Sequence, residues 1–332
     1  MKIGILSFAH LHAESYAHNL KVMQGVELLG IADEDAARGA HYARAYATRF
    51  YPTYDALLAD RPDGVIVCSE NARHRSLVEL AAQAGVHVMC EKPLATTLAD
   101  GQAMLAACQQ AGVILMTAFP MRFSAPVLEI KNLLASGELG RVLACSATNQ
   151  GQNPKRYRTW FVDQELAGGG SVFDHTVHLA DLLRWYLSSE VVEVYAQTNR
   201  IIHRAEVEVE TGGLLLLTFA DGTFASIDCS WTRPLNYPTW GGLTFELMCE
   251  RGVASVDAFS QNLVAYSNNS QPASWIAWGS DADQAMIGDF LSAIAERRAP
   301  RVTGYDGYKA MEVALAAYRS AELGQPVALP LP

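Results

Sequence analysis

The chain has 332 residues, half of them hydrophobic and 18% charged, with a formal net charge of −10. That length exceeds one ordinary core, so two domains are expected. The acidic balance excludes a general nucleic-acid binder and an anionic membrane surface, both of which call for a basic face, and leaves small molecules as partners.

Over the first 120 or so residues, short apolar runs alternate with helical patterns. Lys2–Leu6 predicts a strand, Ala13–Met23 a helix, and Val26–Ala32 a strand ending at Asp33, followed by an alanine-rich helix through Ala47. Gly64–Cys68, Val86–Cys90 and Val113–Thr117 predict further strands, with helices at Arg75–Ala84 and Leu98–Ala111 between them. Such alternation means βαβ units and a Rossmann-type parallel sheet covered on both faces, with ligands at the carboxyl ends of its strands. Residues 1–121 are assigned to this Rossmann-type domain and 122–332 to a second α/β domain. There, after a helix at Ala125–Ser136, strands dominate: Val142–Thr148, Val191–Thr198, Glu206–Phe219, Thr223–Trp231, Leu243–Cys249 and Val253–Asp257. Asp221-Gly222 marks a hairpin, and the sheet is expected to be large, open and mostly antiparallel. A helix from Asp174 to Trp185 should cover it, and Asp283–Arg297 and Tyr305–Leu323 should be the closing helices. The run Leu214–Leu217 is apolar at consecutive positions, so both faces of its strand should be covered, the outer one by a second copy of the chain. A homodimer or homotetramer is expected.

The six cysteines show no CxxC pair, which suits buried reduced thiols in the cytoplasm. No run approaches a membrane span.

The stretch Gly168-Gly169-Gly170 leads into a segment carrying Asp174, His178 and Asp181 at spacings of four and three. These spacings place the three side chains on one helix face, where a carboxylate one turn from an imidazole can orient the ring and raise its basicity. That combination makes a general base, although a packed core histidine gives the same pattern. Glu91-Lys92-Pro93 directly follows a strand, so Lys92 projects from a carboxyl end towards the cleft, where it can hold a substrate oxygen. The first strand-to-helix turn, Ser7-Phe8-Ala9-His10-Leu11-His12, has no glycine where a dinucleotide fingerprint would place three; Ala9 is small, and the helix start behind it offers free amides. Asp33, 26 residues after Ser7, is placed to accept from an adenosine ribose and to repel a 2′-phosphate, which favours NAD over NADP; a simple helix cap is the alternative. Ser69, Asn71 and His74 follow another strand end and are further cofactor candidates, with capping as the alternative for Asn71. His10, His12 and His18 lack an added cysteine or carboxylate pattern, so no metal is expected. Arg156, Tyr157, Arg158, Trp160, Tyr237 and Trp240 form a basic and aromatic set suited to a sugar-like ligand, though Tyr157 and Trp160 suit a core equally.

These motifs, in this order, resemble the glucose–fructose oxidoreductase and inositol dehydrogenase family over nearly the whole chain. Glu91-Lys92-Pro93 is similar to its EKP signature, and Gly168–Gly170 with Asp174, His178 and Asp181 to its glycine-led helix. Arg122-Phe123, Gly137–Gly140 and Ala310–Val313 are similar to other landmarks. The resemblance implies hydride transfer between a sugar, inositol or related polyol and a nicotinamide. It implies Lys92 on the substrate oxygen, His178 as acid/base, and Asp174 beside it. The cofactor contacts expected are Ser7, Phe8, Ala9, His10, His12, Asp33, Ser69, Asn71, His74 and Glu91. Lys92, Arg122, Arg158, Trp160, Asp174, His175 and His178 are expected to meet substrate. The departure is the glycine-poor loop, which leaves open a non-catalytic cofactor- or sugar-binding regulator; the resemblance leaves a third reading, a glycosidase that uses bound NAD transiently as some relatives do.

Overall fold

The computed structural model describes residues 1–259, 262–267, 270–277 and 279–332, with strands 262–267 and 270–277 described by their backbone alone. The first part runs β1 (Lys2–Leu6), α1 (Ala13–Val22), β2 (Glu27–Ala32), α2 (Ala36–Ala45), β3 (Arg49–Tyr51), α3 (Tyr54–Ala59), β4 (Gly64–Val67), α4 (His74–Gln83), β5 (His87–Cys90), α5 (Leu98–Ala111) and β6 (Leu115–Thr117). The six strands pair in parallel in the order β3-β2-β1-β4-β5-β6. Ile5, Leu6, Ile66, Val67, Val88 and Met89 are all buried, because helices on both sides take up the apolar residues of both strand faces. The order reverses between β1 and β4, so the loops after those strands diverge and open a crevice at their carboxyl ends. The short β3 and α3 are additions to the sequence expectation. They are too brief for periodicity to register, but Thr53 caps α3 by accepting from the Ala56 amide.

The second part comprises α6 (Ala125–Ala135), β7 (Val142–Gly151), α7 (Gln164–Ala167), α8 (Ser171–Leu187), β8 (Val191–Asn199), β9 (Gly212–Phe219), β10 (Phe224–Ser230), β11 (Gly241–Cys249), β12 (Gly252–Asp257), β13 (Asn262–Ser267), β14 (Ser270–Ala277), α9 (Ala282–Glu296), α10 (Gly304–Leu323) and β15 (Val327–Ala328). Its seven-stranded sheet has the order β12-β11-β7-β10-β9-β8-β15; β7 and β10 run parallel and the other pairs antiparallel. The strand expected from Glu206 begins only at Gly212, because the segment before it turns back to bring Glu210 to the start of α8. Within the single chain Leu215 and Leu217 are buried, whereas Leu214 and Leu216 are 58% and 51% exposed. The strand therefore alternates, and its outer face carries Leu143, Leu214, Leu216, Phe224 and Val253 open to solvent.

The last two helices return to the first sheet. A Cβ on Gly64 of β4 would stand 3.0 Å from the Phe290 ring, and one on Gly307 would stand 2.2 Å from Thr117 Oγ1. One continuous hydrophobic core consequently joins both sheets. Among the described residues no helix is long and apolar enough to cross a membrane.

Candidate active site

The glycine triplet is a packing device that fixes the start of α8. Gly168 ends α7 with φ +84°, a conformation that side chains disfavour. A Cβ on Gly170 would lie 2.0 Å from the Glu210 carbonyl oxygen. That close approach lets Glu210 receive the free amides of the helix: Gly170 N donates to its carboxylate at 3.0 Å and Val172 N at 2.9 Å. The Tyr318 hydroxyl donates to the same carboxylate at 2.8 Å. An anion at a helix N-terminus meets both the unpaired amides and the favourable end of the dipole.

The first turns of α8 then deliver Asp174, His175 and His178. Asp174 Oδ1 accepts from Lys92 Nζ at 2.6 Å, and its other oxygen lies 3.2 Å from His175 Nε2. Both members of the Lys92–Asp174 pair are buried. Burial alone would raise the Asp174 pKa, but Lys92 and His175 beside it hold the carboxyl well below its ordinary range. Asp174 is thus committed to Lys92 and His175 rather than aligned on His178 as the one-face spacing predicts. His175 Nδ1 stands 2.7 Å from the Asn149 carbonyl oxygen, which orients its ring. His178 packs edge-on against Phe119, and its Nδ1 is buried without a hydrogen-bond partner. Burial first, and the nearby Lys92 ammonium second, push its pKa well below the usual imidazole value, so the ring is neutral at physiological pH.

Lys92, His175 and His178 line one cavity of about 280 Å³ together with His12, Asn149 and Trp240. Lys92 enters from the end of β5, His175 and His178 from α8, His12 from the β1–α1 turn and Asn149 from β7. The Lys92–Pro93 peptide is cis.

The crevice beside this cavity holds the residues expected to meet a dinucleotide. Ser7 takes φ +72°, the left-handed conformation that a glycine would supply. Asp33 Oδ2 accepts from the Phe8 amide at 2.8 Å, and Arg38 binds both oxygens of the carboxylate, at 2.8 and 2.7 Å. Ser69 lies buried with its hydroxyl on the Glu70 carbonyl, and Asn71 donates to the Ala167 carbonyl at 2.8 Å. His74 is not placed for cofactor contact. It is fully buried, with its ring nitrogens against the carbonyls of Pro93, Leu94 and Ser69, so it braces the turn that carries Lys92. His10, His12 and Glu91 converge: His12 Nδ1 is 3.1 Å and His10 Nδ1 3.6 Å from Glu91 Oε1, which also accepts from Tyr16 at 2.6 Å.

Over this loop lies a segment of the second domain. Arg158 Nε and Trp160 Nε1 both donate to the Ala9 carbonyl, at 3.2 and 3.0 Å, and Trp160 and Phe161 form a small cluster with Ala9 and Ala167. Arg158 and Trp160, expected to touch substrate, therefore roof the crevice outside the cavity. The residues beneath still suit a dinucleotide. Asp33 is an acceptor at the end of β2, Ala9 is small, and Asn71 Oδ1 and His10 Nε2 are buried polar atoms without partners.

Arg122 is the clearest correction among the substrate candidates. Its guanidinium is consumed by both oxygens of Asp181, at 2.7 and 2.6 Å, by Asp306 at 3.0 Å and by the Arg301 carbonyl. A fork with this many partners has nothing left for substrate, and the cavity is lined instead by its neighbours Pro120 and Met121. Asp181 likewise serves this buried network. Arg156 bonds Gln152 and Tyr157, outside the cavity, whereas Trp240 is in its wall. Sequence reasoning missed Tyr16, Glu210 and Asn149, which act through partners 75, 40 and 26 residues away. A buried tyrosine four residues after an HxH was the one available signal.

Two family models match this chain: an oxidoreductase family with an NAD-binding Rossmann fold over residues 3–119, and a GFO/IDH/MocA C-terminal domain over residues 127–255. The chain is 30% identical to 1,5-anhydro-D-fructose reductase of Ensifer adhaerens, over 91% of this chain and 90% of the relative. It is 26% identical to myo-inositol 2-dehydrogenase of Thermotoga maritima, over 97% and 96%. Among solved structures it is similar to GenD2 from gentamicin A biosynthesis in complex with NAD, with a TM-score of 0.90 and 25% identity over 100% of this chain and 97% of that one.

Proposed function

This chain belongs to the GFO/IDH/MocA family of NAD-binding oxidoreductases, and we propose that it moves hydride between a carbinol carbon of a sugar, inositol or related polyol and NAD. The observation that carries the residue roles is the shared cavity wall, where Lys92 from one sheet and His178 from α8 face the same space. Bound NAD supplies the hydride acceptor; everything else falls to the protein. His178, neutral and with an unpartnered nitrogen, takes the hydroxyl proton at its ring. The Lys92 ammonium holds the substrate oxygen as negative charge develops there, and Asp174 fixes the ammonium in place. His175 and Trp240 offer one polar and one stacking contact to a ring bearing hydroxyls. A cavity of about 280 Å³ falls just below the roughly 300–1,000 Å³ of small-molecule sites, and so suits a single sugar ring rather than an oligosaccharide.

The division of labour proposed is cofactor binding by residues 1–121 and substrate binding and self-association by 122–332, in a cytoplasmic protein. The exposed Leu143, Leu214, Leu216 and Phe224 support a homo-oligomer formed through the outer sheet face. Light scattering of the wild type and of Leu216→Lys tests this: a monomeric wild type would refute it.

For the activity, NADH formation from NAD is followed over a panel of aldoses, inositols and anhydro-sugars. Lys92→Met and His178→Asn should each lower kcat by on the order of 10²–10⁴ with folding intact. Near-normal turnover in either variant would overturn its assignment. Product release without net NADH would redirect the reading to a glycosidase.

A further inference from the structure

We propose that Asp283 is the specificity-determining residue of the substrate cavity: with His12 nearby, it binds a hydroxyl remote from the reacting carbon and selects an uncharged polyol over a sugar acid or sugar phosphate. The proposal rests on the hydride-transfer reading of the same cavity and names what that reading leaves open, the charge of the substrate. Asp283 lies in the first turn of α9 and in the wall that also holds His12, Lys92 and His178.

An aspartate in the first turn of a helix is ordinary, since the free amides and the dipole there favour an anion. In α9 that need is already met, because Asp281 caps the helix by accepting from the Asp283 and Gln284 amides at 2.9 and 3.1 Å. The Asp283 side chain is instead tied across to α1, where the Ser15 hydroxyl donates to Oδ2 at 2.6 Å. Its Oδ1 has no hydrogen-bond partner among the described residues. Burial raises the pKa of the group against the pull of His12 and Ser15, so it is short of donors that a ligand can supply. A carboxylate with one oxygen pinned and the other unengaged in a cavity wall is a preset acceptor for a sugar hydroxyl. His12 adds a second contact. Its Nδ1 stands 3.1 Å from Glu91 Oε1, the carboxylate that also accepts from Tyr16, so Nε2 is the ring nitrogen left for the cavity.

The charge of the wall decides between substrate classes. Among the described residues that line the cavity there is no arginine, and Lys92, the one lysine, is matched by Asp174. Arg122 and Arg158 are committed elsewhere. A carboxylate or phosphate on the substrate would therefore meet Asp283 and, behind His12, Glu91, with no uncommitted lysine or arginine to answer it. A hydroxyl meets no such repulsion.

The test uses matched pairs on the full-length chain: D-glucose with D-glucuronate, D-galactose with D-galacturonate, and myo-inositol with its monophosphate. In the pair turned over fastest with NAD, kcat/KM should favour the neutral partner by about 100-fold or more. Asp283→Asn should raise the KM for that polyol by about 10- to 100-fold, with kcat within about threefold and the KM for NAD unchanged. Ser15→Ala should raise it by about threefold. Asn19→Ala, which breaks the neighbouring α1–α9 bond to Asp281 at 3.3 Å, should leave it unchanged. Equal or better use of the acidic partner by the wild type would overturn the proposal. So would an unchanged polyol KM in Asp283→Asn, a rise confined to the KM for NAD, or an equal rise in Asn19→Ala, which would reduce Asp283 to holding two helices together. Calorimetry of the same pairs on the NADH-loaded chain, which cannot oxidise them, reads the preference without turnover and decides the matter if a variant fails to fold. Preferential binding of a neutral partner with no NADH formed in the assay would refute hydride transfer and leave this inference standing.

Discussion

Replacing Asp174 with Asn removes one charge from the centre of the site while preserving an oxygen for Lys92. The ammonium stands 2.6 Å from the carboxylate, and both groups are buried. At an effective dielectric constant of about 20 the gross attraction is about 6 kcal/mol, much of it offset by the loss of hydration. Breaking such a pair from one side costs roughly 3–5 kcal/mol, because the other charge stays buried without a partner. Asn keeps a hydrogen bond, so the lower end applies, about 3 kcal/mol, or a fall of roughly 5–10 °C in Tm. The pH dependence carries a second signature. The Asp174 pKa is depressed in the folded chain, so its contribution is complete above the unfolded value near 3.9 and is lost as pH falls from there towards the folded value. Urea denaturation at neutral pH and at successive pH values below about 4 should show the gap between wild type and Asp174→Asn closing in acid. Turnover should drop at least about tenfold, since a neutral amide holds the Lys92 ammonium less firmly. A Tm within about one degree of wild type at neutral pH, with unchanged kcat, would refute the pairing as described.

Other parts of the site yield further expectations. Because His178 acts as the neutral base and its pKa is lowered, the acid limb of kcat/KM for alcohol oxidation should lie below the pH of about 6.5 typical of free imidazole; a limb above that value would disqualify His178. Asp33→Asn keeps an acceptor for the Phe8 amide but removes the charge and frees Arg38, so the ratio of kcat/KM for NADP over NAD should rise by about 10- to 100-fold, and an unchanged ratio would remove Asp33 from cofactor selection. Gly170→Ala should cost roughly 1–3 kcal/mol, because the new carbon meets backbone at 2.0 Å. Gly288→Ala, in α9 with its nearest neighbour at 3.9 Å, should instead gain up to about 1 kcal/mol; similar chemical denaturation of the two variants would contradict the packing argument.

The parallel sheet was legible because buried strands read as unbroken apolar runs and the helices between them carry caps such as Thr97. Lys92, His178 and Asp174 were legible as individuals, since a strand end and a helix face are local facts. Their pairings were not. Spacing places Asp174 one turn from His178, but rotamer and burial decide that the carboxylate goes to a lysine 82 residues away. The same limit explains Arg122, whose partners Asp181 and Asp306 lie 59 and 184 residues off. It also explains the glycine triplet, which the sequence shows only as the lead-in to α8 and whose last two members are crowded by Tyr318 and Glu210.

The glycine-poor turn is the place where sequence and geometry bear most directly on each other. In a glycine-rich turn the free amides are available to a pyrophosphate. Here the Phe8 amide goes to Asp33, the Ala9 amide lies 3.2 Å from Ser7 Oγ, and the His10 amide goes to the Cys68 carbonyl. The carbonyl of Ala9 is taken by Arg158 and Trp160 from the other domain. Residues 158–167 are held there by those two hydrogen bonds, by Arg158 on Glu14 and Tyr42, by Asn71 on the Ala167 carbonyl and by a small apolar cluster. On the proposed reading, affinity for NAD is drawn from Asp33 and from the start of α1.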